Sequence, residues 1–356
     1  MNTERPKWNQ EGDLSIPTPT THIKKVSDDL RNSLESRFKT HLRVVESEQL
    51  SCEQYLLLMQ KGLVRAKELL QRPGEMTPAQ DFNVRGLLYD LASQVAPDAR
   101  ISELNELITR MRIRESSRVI DLMSGTGFVS RRVARITQSG VWAVDSSYVQ
   151  LALQLLRTEP PYPYPHDIWP IKVDLSSPDI FKTVNLAGEM DVADSLGGLH
   201  HVSKEKQRPL FANVARLLKV GGRFVFGDVT DMPEGLPLVN HFEHTSAKCI
   251  TGHVGHWLNE DRLREEILPG LPLRVQKIEV VPIKWRFDSL EQITLFFMGL
   301  HALDVDITME NLKNNVILDE IRHFLGITKA GKTYLVGWPL MYVEIERVSG
   351  EVPESV

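Results

Sequence analysis

The stretch Val119-Ile-Asp-Leu-Met-Ser-Gly-Thr-Gly127 constrains the fold of this 356-residue chain more than any other. A β-branched run ends in an acid, a Gly-x-Gly turn follows, and residues 128–136 then read as a helix. Glycines at that point let the backbone pass close to a ligand at the carboxyl end of a first strand, and the helix start adds free N–H groups. A second acid, Asp145, closes the next β-rich run, Gly140-Val-Trp-Ala-Val-Asp145, where a carboxylate can accept both hydroxyl protons of a ribose. A third, Asp174, follows the run 168–173, where it can accept from an exocyclic amine. Taken alone, Gly-x-Gly is equally a tight strand-to-helix turn. Three acids at successive strand ends, in register with it, point to a nucleotide-type ligand. The third glycine of a dinucleotide fingerprint is replaced by Ser130, which argues against NAD.

Around this motif, short β-rich runs at 118–122, 140–145, 168–173, 190–193 and 223–227 alternate with helical stretches, clearest at 150–156 and 209–218. Such alternation predicts a parallel sheet with helices on both faces. Two later strands, near 274–282 and at 333–347, are separated by a helical segment too long for an ordinary connection. The first 112 residues read differently. Residues 1–25, with Pro6, Pro17 and Pro19 among polar side chains, are expected to form a loose arm. Leu30, Leu34, Phe38 and Leu42 share a helical stripe. Ser51-Cys-Glu-Gln54 is a capping box, Thr77-Pro78-Ala-Gln80 repeats the device with proline at the first helical position, and a further helix spans about 98–111. The domains expected are therefore an arm at 1–25, a helical unit at 26–112 that covers the substrate mouth or builds a homodimer, and a ligand-binding α/β unit at 113–348. The last carries helical insertions at about 230–272 and 284–330.

Composition removes several alternatives. The formal charge is -5 with no long basic run, so no nucleic-acid footprint is expected. Cys52 and Cys249 are too few and too far apart for a disulfide framework or a thiolate zinc site. No apolar run reaches membrane-spanning length and the first 19 residues are polar, so a cytoplasmic protein without a membrane partner is expected.

These residues resemble the class I S-adenosylmethionine-dependent methyltransferases. That family's first motif is an acid followed by three alternating glycines, with Met123 here in place of the first. Leu218-Lys-Val-Gly-Gly222 is similar to the turn before the family's fifth strand, with Val220 replacing proline. Asp194-Ser-Leu-Gly-Gly-Leu-His-His201 is similar to the segment after its fourth strand. The resemblance covers about 113–347 and implies a Rossmann-like seven-stranded sheet whose late strands form an antiparallel hairpin. It also implies S-adenosyl-L-methionine as cofactor: Asp121 and Gly125 at its methionine part, Asp145 at the ribose, Asp174 and Leu175 at the adenine, with Gly127, Ser146 and Ser195 also cofactor-binding.

The acceptor is harder to read. Histidines 241, 244, 253, 256 and 301 crowd one region. Taken singly, each is most simply a surface or capped side chain. In Asp288-Ser-Leu-Glu291 an acidic cap opens a helix on which Ile293, Phe297, Leu300 and His301 share a face, so this imidazole points with the apolar stripe. Thr251-Gly-His253-Val-Gly-His256 lies in the other insertion. The combination resembles the α-keto acid C-methyltransferases of β-methyl amino acid biosynthesis, which serve specialised metabolism such as antibiotic biosynthesis. That resemblance implies a divalent metal ion, iron or zinc, on two histidines. His253 and His301 are the expected metal ligands and catalytic residues, with His241, His244 or His256 as substitutes. The implied substrate is a small-molecule 2-oxo acid, with 5-guanidino-2-oxopentanoate as one member. Arg131 or Arg132 is the expected partner of its carboxylate, although either equally suits an exposed helical face. Two other readings stay open. One is a metal-free O- or N-methyltransferase of a small natural product with His200 or His201 as base. The other is a protein that binds the cofactor without methyl transfer.

Overall fold

The computed structural model describes residues 50–70, 78–138, 140–158, 168–177, 186–252 and 255–353. The expected arm at 1–25 and the stripe from Leu30 to Leu42 lie outside them. Helix α1 (Cys52–Leu70) opens on the capping box read from sequence. The Ser51 N–H donates to Gln54 Oε1 at 2.8 Å and the Gln54 N–H to Ser51 Oγ at 3.2 Å. Helix α2 (Pro78–Val95) starts on its proline, and α3 (Ile101–Met111) follows. These helices do not bury a core of their own. Met59, Leu88 and Leu107 join one apolar cluster with Trp285, Phe297 and Tyr342 from later elements.

Among the described residues eight strands form one sheet: β1 (Val119–Leu122), β2 (Val141–Asp145), β3 (Ile168–Lys172), β4 (Met190–Leu196), β5 (Leu218–Asp228), β6 (Leu273–Phe287), β7 (Ile327–Ala330) and β8 (Thr333–Arg347). Their order is β3-β2-β1-β4-β5-β8-β6, with β7 also on β8. The first five are parallel, connected across the sheet faces by α4 (Phe128–Thr137), α5 (Tyr148–Thr158) and α6 (Lys204–Leu217). β8 runs antiparallel to its three neighbours. Prolines fall where a ladder partner is missing, because proline donates no ladder hydrogen bond: Pro170 and Pro282 on the edge strands β3 and β6, and Pro339 on β8 between the stretches that pair with β7 and with β5.

This is the expected α/β class I methyltransferase arrangement with two departures. An eighth strand exists because β8 outreaches β5: residues 341–346 pair with β5, leaving 333–336 to pair with β7. Leu218-Lys-Val-Gly-Gly222 is not a turn before β5 but lies within it. The register with β4 slips there, and Gly221 takes a φ of 83°, a local irregularity that a glycine accommodates.

The two long connections hold helices as expected. α7 (Leu236–Ser246) lies after β5; α8 (Leu290–His301) and α9 (Val316–Phe324) lie after β6. The cap of α8 is Ser289 rather than Asp288. Ser289 Oγ accepts from the Gln292 N–H, and the Gln292 side chain returns to the Asp288 N–H at 2.8 Å. Among the described residues no helix is long and apolar enough to cross a membrane.

Candidate active site

A cavity of about 480 Å³ opens at the carboxyl ends of β1, β2 and β4 and runs beneath α2 and α8. Gly125, Asp145, Ser146, Asp174 and Leu175 line one half. Arg85, Tyr89, Arg100, His200, His201 and His301 line the other, with an aromatic wall of Trp285 and Trp338.

In the first half the acids read from sequence do meet. Asp145 Oδ2 accepts from the Gly125 N–H at 2.9 Å and Oδ1 from the Ser147 N–H at 2.8 Å. Burial pushes the Asp145 carboxyl up to about 6 against the pull of these N–H donors. Asp174 is half-exposed and held below the ordinary carboxylate range: burial works against it, but the Ser176 hydroxyl and N–H and the Lys206 ammonium outweigh that. Gly125, with a φ of 54°, forms the cavity wall beside Asp145. These residues fit S-adenosylmethionine: a carboxylate and a backbone N–H stand ready for a diol, and the backbone is bare where the ligand approaches.

Three other expected cofactor residues act from behind the wall. Asp121 is buried and accepts from the Ser130 hydroxyl, so the serine that replaces a third glycine serves as its partner. Ser195 points into the sheet, and it is Leu196, Gly197 and Gly198 that reach the cavity. Gly127, the N-cap of α4, has a φ of 82°, and a Cβ there would stand 2.7 Å from the Gln154 side chain. Gly127→Ala is therefore expected to cost about 1–3 kcal/mol of stability, read from denaturant unfolding. An unchanged midpoint would show that the turn relaxes without strain. Met123 holds a φ of 56° where the family pattern has glycine, and its side chain joins the cavity wall. Gly198 makes the room, since a Cβ on it would lie 2.8 Å from Met123 Cβ.

The acceptor half departs further from expectation. Arg131 is not among the wall residues; its Nη1 donates to the Thr126 carbonyl at 2.5 Å, which ties α4 back to the glycine loop. The arginines at the wall are Arg85 and Arg100, on the N-terminal helical region. Arg85 is held by Asp81 at 2.9 Å and lies 4.3 Å over the Phe82 ring. Arg100 pairs with Glu103, whose other oxygen accepts from Trp285 Nε1 at 2.7 Å. Sequence reasoning missed both arginines because neither stands beside a motif, although α2 was expected over the substrate mouth.

His301 is buried at the cavity wall as its helical face required. His253 lies outside the described residues. The histidine that faces His301 is His241 from α7, with Nε2 to Nε2 at 3.4 Å. Burial, with the neighbouring His244, holds His241 down to about 3, and burial beside His241 holds His301 well below the usual range, so both rings are neutral. Two imidazole nitrogens on one ion at about 2.0–2.1 Å in tetrahedral geometry stand roughly 3.3–3.4 Å apart, so the pair fits a shared metal. It equally fits a weak N–H···N contact. Among the described residues no group of three or more His, Cys, Asp or Glu is arranged to hold an ion. His244 turns to Glu320 at 3.3 Å, and the His256 N–H donates to the His200 carbonyl at 2.8 Å. His200 is buried, with Nδ1 2.6 Å from Asp228 Oδ1 at the end of β5, a partner that sequence gave no signal for.

Residues 119–222 match the family model for the methyltransferase domain. The chain contains a class I S-adenosylmethionine-dependent methyltransferase domain, of which that stretch is the matched part. No curated protein matches it. Among solved structures it is similar in fold to the [4+2]-cyclase SpnF, at 17% identity and a TM-score of 0.51 over 77% of this chain and 98% of that one. It is also similar to the geranyl diphosphate C-methyltransferase of Streptomyces coelicolor, at 13% identity and a TM-score of 0.44 over 73% and 84%. The YcgJ protein of Bacillus subtilis is a third, at 17% identity and a TM-score of 0.46 over 69% and 98%. These likenesses concern the fold alone.

Proposed function

We propose that the protein transfers the methyl group of S-adenosylmethionine to the β-carbon of a small 2-oxo acid, with a divalent metal held by His241 and His301. The observation that carries this reading is the facing pair of neutral, buried imidazoles, of which His301 lines the acceptor end of the cavity and His241 stands behind it. His241 and His301 would hold the ion, which would supply Lewis-acid stabilisation of the negative charge that develops on a 2-oxo acid as its β-proton leaves. His241 replaces His253 as the partner of His301 in this reading. Arg85, clamped by Asp81 and Phe82, takes the role first given to Arg131 and receives the substrate carboxylate. His200, its Nδ1 held by Asp228, keeps Nε2 for the β-proton, and the carbon then attacks the sulfonium methyl in line.

The distal group of the acceptor is flat and apolar in this reading, not a guanidinium. Trp285 and Trp338 stack at 3.7 Å to form the wall. Among the described residues of the acceptor half, the wall carboxylate is Glu103, already engaged by Arg100 and Trp285. The test is a panel of 2-oxo acids with aryl, alkyl and guanidino side chains, read by S-adenosylhomocysteine formation. An aryl member should exceed the guanidino member by at least about tenfold, since an unpaired buried cation costs several kcal/mol. Preferred turnover of the guanidino acid would overturn the side-chain assignment.

A second reading keeps His200 and Asp228 and dispenses with metal: O- or N-methylation of a small natural product with His200 as base. The 2.6 Å contact that orients its ring favours it. Full turnover after metal removal, with an O- or N-methylated product, would select this reading.

A further inference from the structure

The methyl-transfer scheme leaves one buried titratable cluster unused. Asp121 on β1 and Asp194 on β4 are register partners on adjacent parallel strands and project to the same sheet face. Both are almost completely buried, at 1% and 0% exposure. Adjacent on one sheet face, the two carboxyls interact directly, and a proton held by one of them relieves their repulsion. No donor among the described residues satisfies either Asp194 oxygen. What faces the pair is accounted for element by element. From α4 comes the Ser130 hydroxyl, which donates to Asp121 and accepts from Gln154 of α5 at 3.1 Å. From β2 comes another carboxylate, Asp145, and the β5 register partner of Asp194 is the uncharged Val225. Arg100, at the start of α3, is already paired with Glu103. No cation is therefore assigned to the pair, and two carboxylates this close in a dry site cannot both ionise. Burial raises both; Asp121 raises Asp194 further, while Asp145 raises Asp121 and the Asp194 contact lowers it.

The pair lies directly behind the donor half of the cavity. Two residues past Asp121, Met123 forms the wall; two residues past Asp194, Leu196 does. We propose that Asp121 and Asp194 form a charge sensor for the methyl donor. The pair holds one shared proton in the donor-free protein, releases it to solvent when the sulfonium of S-adenosylmethionine binds, and takes it back once the neutral thioether product forms. One carboxyl O–H breaks, the proton passes to water, and the second negative charge left behind offsets the sulfonium charge. S-adenosylhomocysteine lacks that charge and gives no such release. The device thus favours substrate over spent cofactor, independently of the acceptor.

The sign follows from linkage. Binding that expels a proton tightens as pH rises, by at most about tenfold per pH unit for one proton. Between about pH 7 and pH 9 the dissociation constant for S-adenosylmethionine should fall several-fold more than that for S-adenosylhomocysteine. The experiment is calorimetric titration of the full chain with each ligand in two buffers of different ionisation enthalpy, which counts the protons released. The ligand's own amine titrates in this range, so the reference is Asp194→Asn, an isostere that removes the shared proton and leaves the amine. The expected result is a release with S-adenosylmethionine, up to one proton larger in the parent than in the variant, and no such difference with S-adenosylhomocysteine. Asp121→Asn is the second variant, because removal of either carboxyl dissolves the pair. Equal proton counts for parent and variant, or equal release with both ligands, would overturn the proposal.

Discussion

Asp145→Ala is expected to weaken S-adenosylmethionine binding by roughly 30- to 1000-fold, because the loss of a charged, buried acceptor typically costs about 2–4 kcal/mol. The structure adds a reason for the upper half of that range. Asp145 also accepts from the Gly125 and Ser147 N–H groups, so its removal takes away a prospective ribose acceptor and loosens the loop that shapes the pocket. Asp145→Asn separates the two effects, since its amide oxygen can keep one N–H bond while the charge is lost. Calorimetry on both variants, beside an unfolding curve to show that each is folded, is the measurement. Parent-like affinity in Asp145→Ala would remove Asp145 from the donor site.

The second large effect concerns the histidine pair. His301→Ala and His241→Ala should each bring metal content to background and reduce methyl transfer by at least about 100-fold, since a lost ligand should cost no less than a lost partner of one. Donor affinity should stay within about threefold, because the glycine loop and Asp145 are untouched. His244→Ala is the control, its ring being turned to Glu320 at 3.3 Å. His253→Ala, in the same series, tests the pairing read from sequence. Normal metal content in His241→Ala and His301→Ala together would remove the metal site. The 3.4 Å contact would then stand as a neutral N–H···N pair, with the chemistry passing to the metal-free reading.

The donor half and the acceptor half differ in how far they could be read without coordinates. Asp121, Gly125, Asp145 and Asp174 each sit at the end of a strand whose hydrophobic pattern is visible locally, and a doubly wound sheet brings successive strand ends to one edge whatever the details of packing. Gly127 was legible for the same reason, although its role is conformational: it caps α4 at a φ of 82° and makes no wall. The capping box of α1 and the proline start of α2 were legible because such signals act within one turn of helix.

The acceptor half is a product of tertiary packing. Arg85 reaches the cavity because α2 lies against α8, and no spacing between residues 85 and 301 encodes that. His241 and His301 are 60 residues apart on α7 and α8, and only their packing in a shared aromatic cluster with Phe242 and Phe297 makes one face the other. The approach of His200 to Asp228 follows from β4 and β5 being neighbours in the sheet, which turns a loop residue and a strand end into one hydrogen-bonded pair. Arg131 shows the converse: its place beside the glycine loop was read correctly, but the direction of its side chain was set by the nearest acceptor, the Thr126 carbonyl. Local sequence determined the sheet, its glycine turn and the line of acids along its edge, because those depend on strand periodicity and one-turn geometry. Which side chains meet above that edge was decided by how the helices of the N-terminal region and the two insertions pack. That packing rests on apolar contacts which carry no directional signal in the sequence.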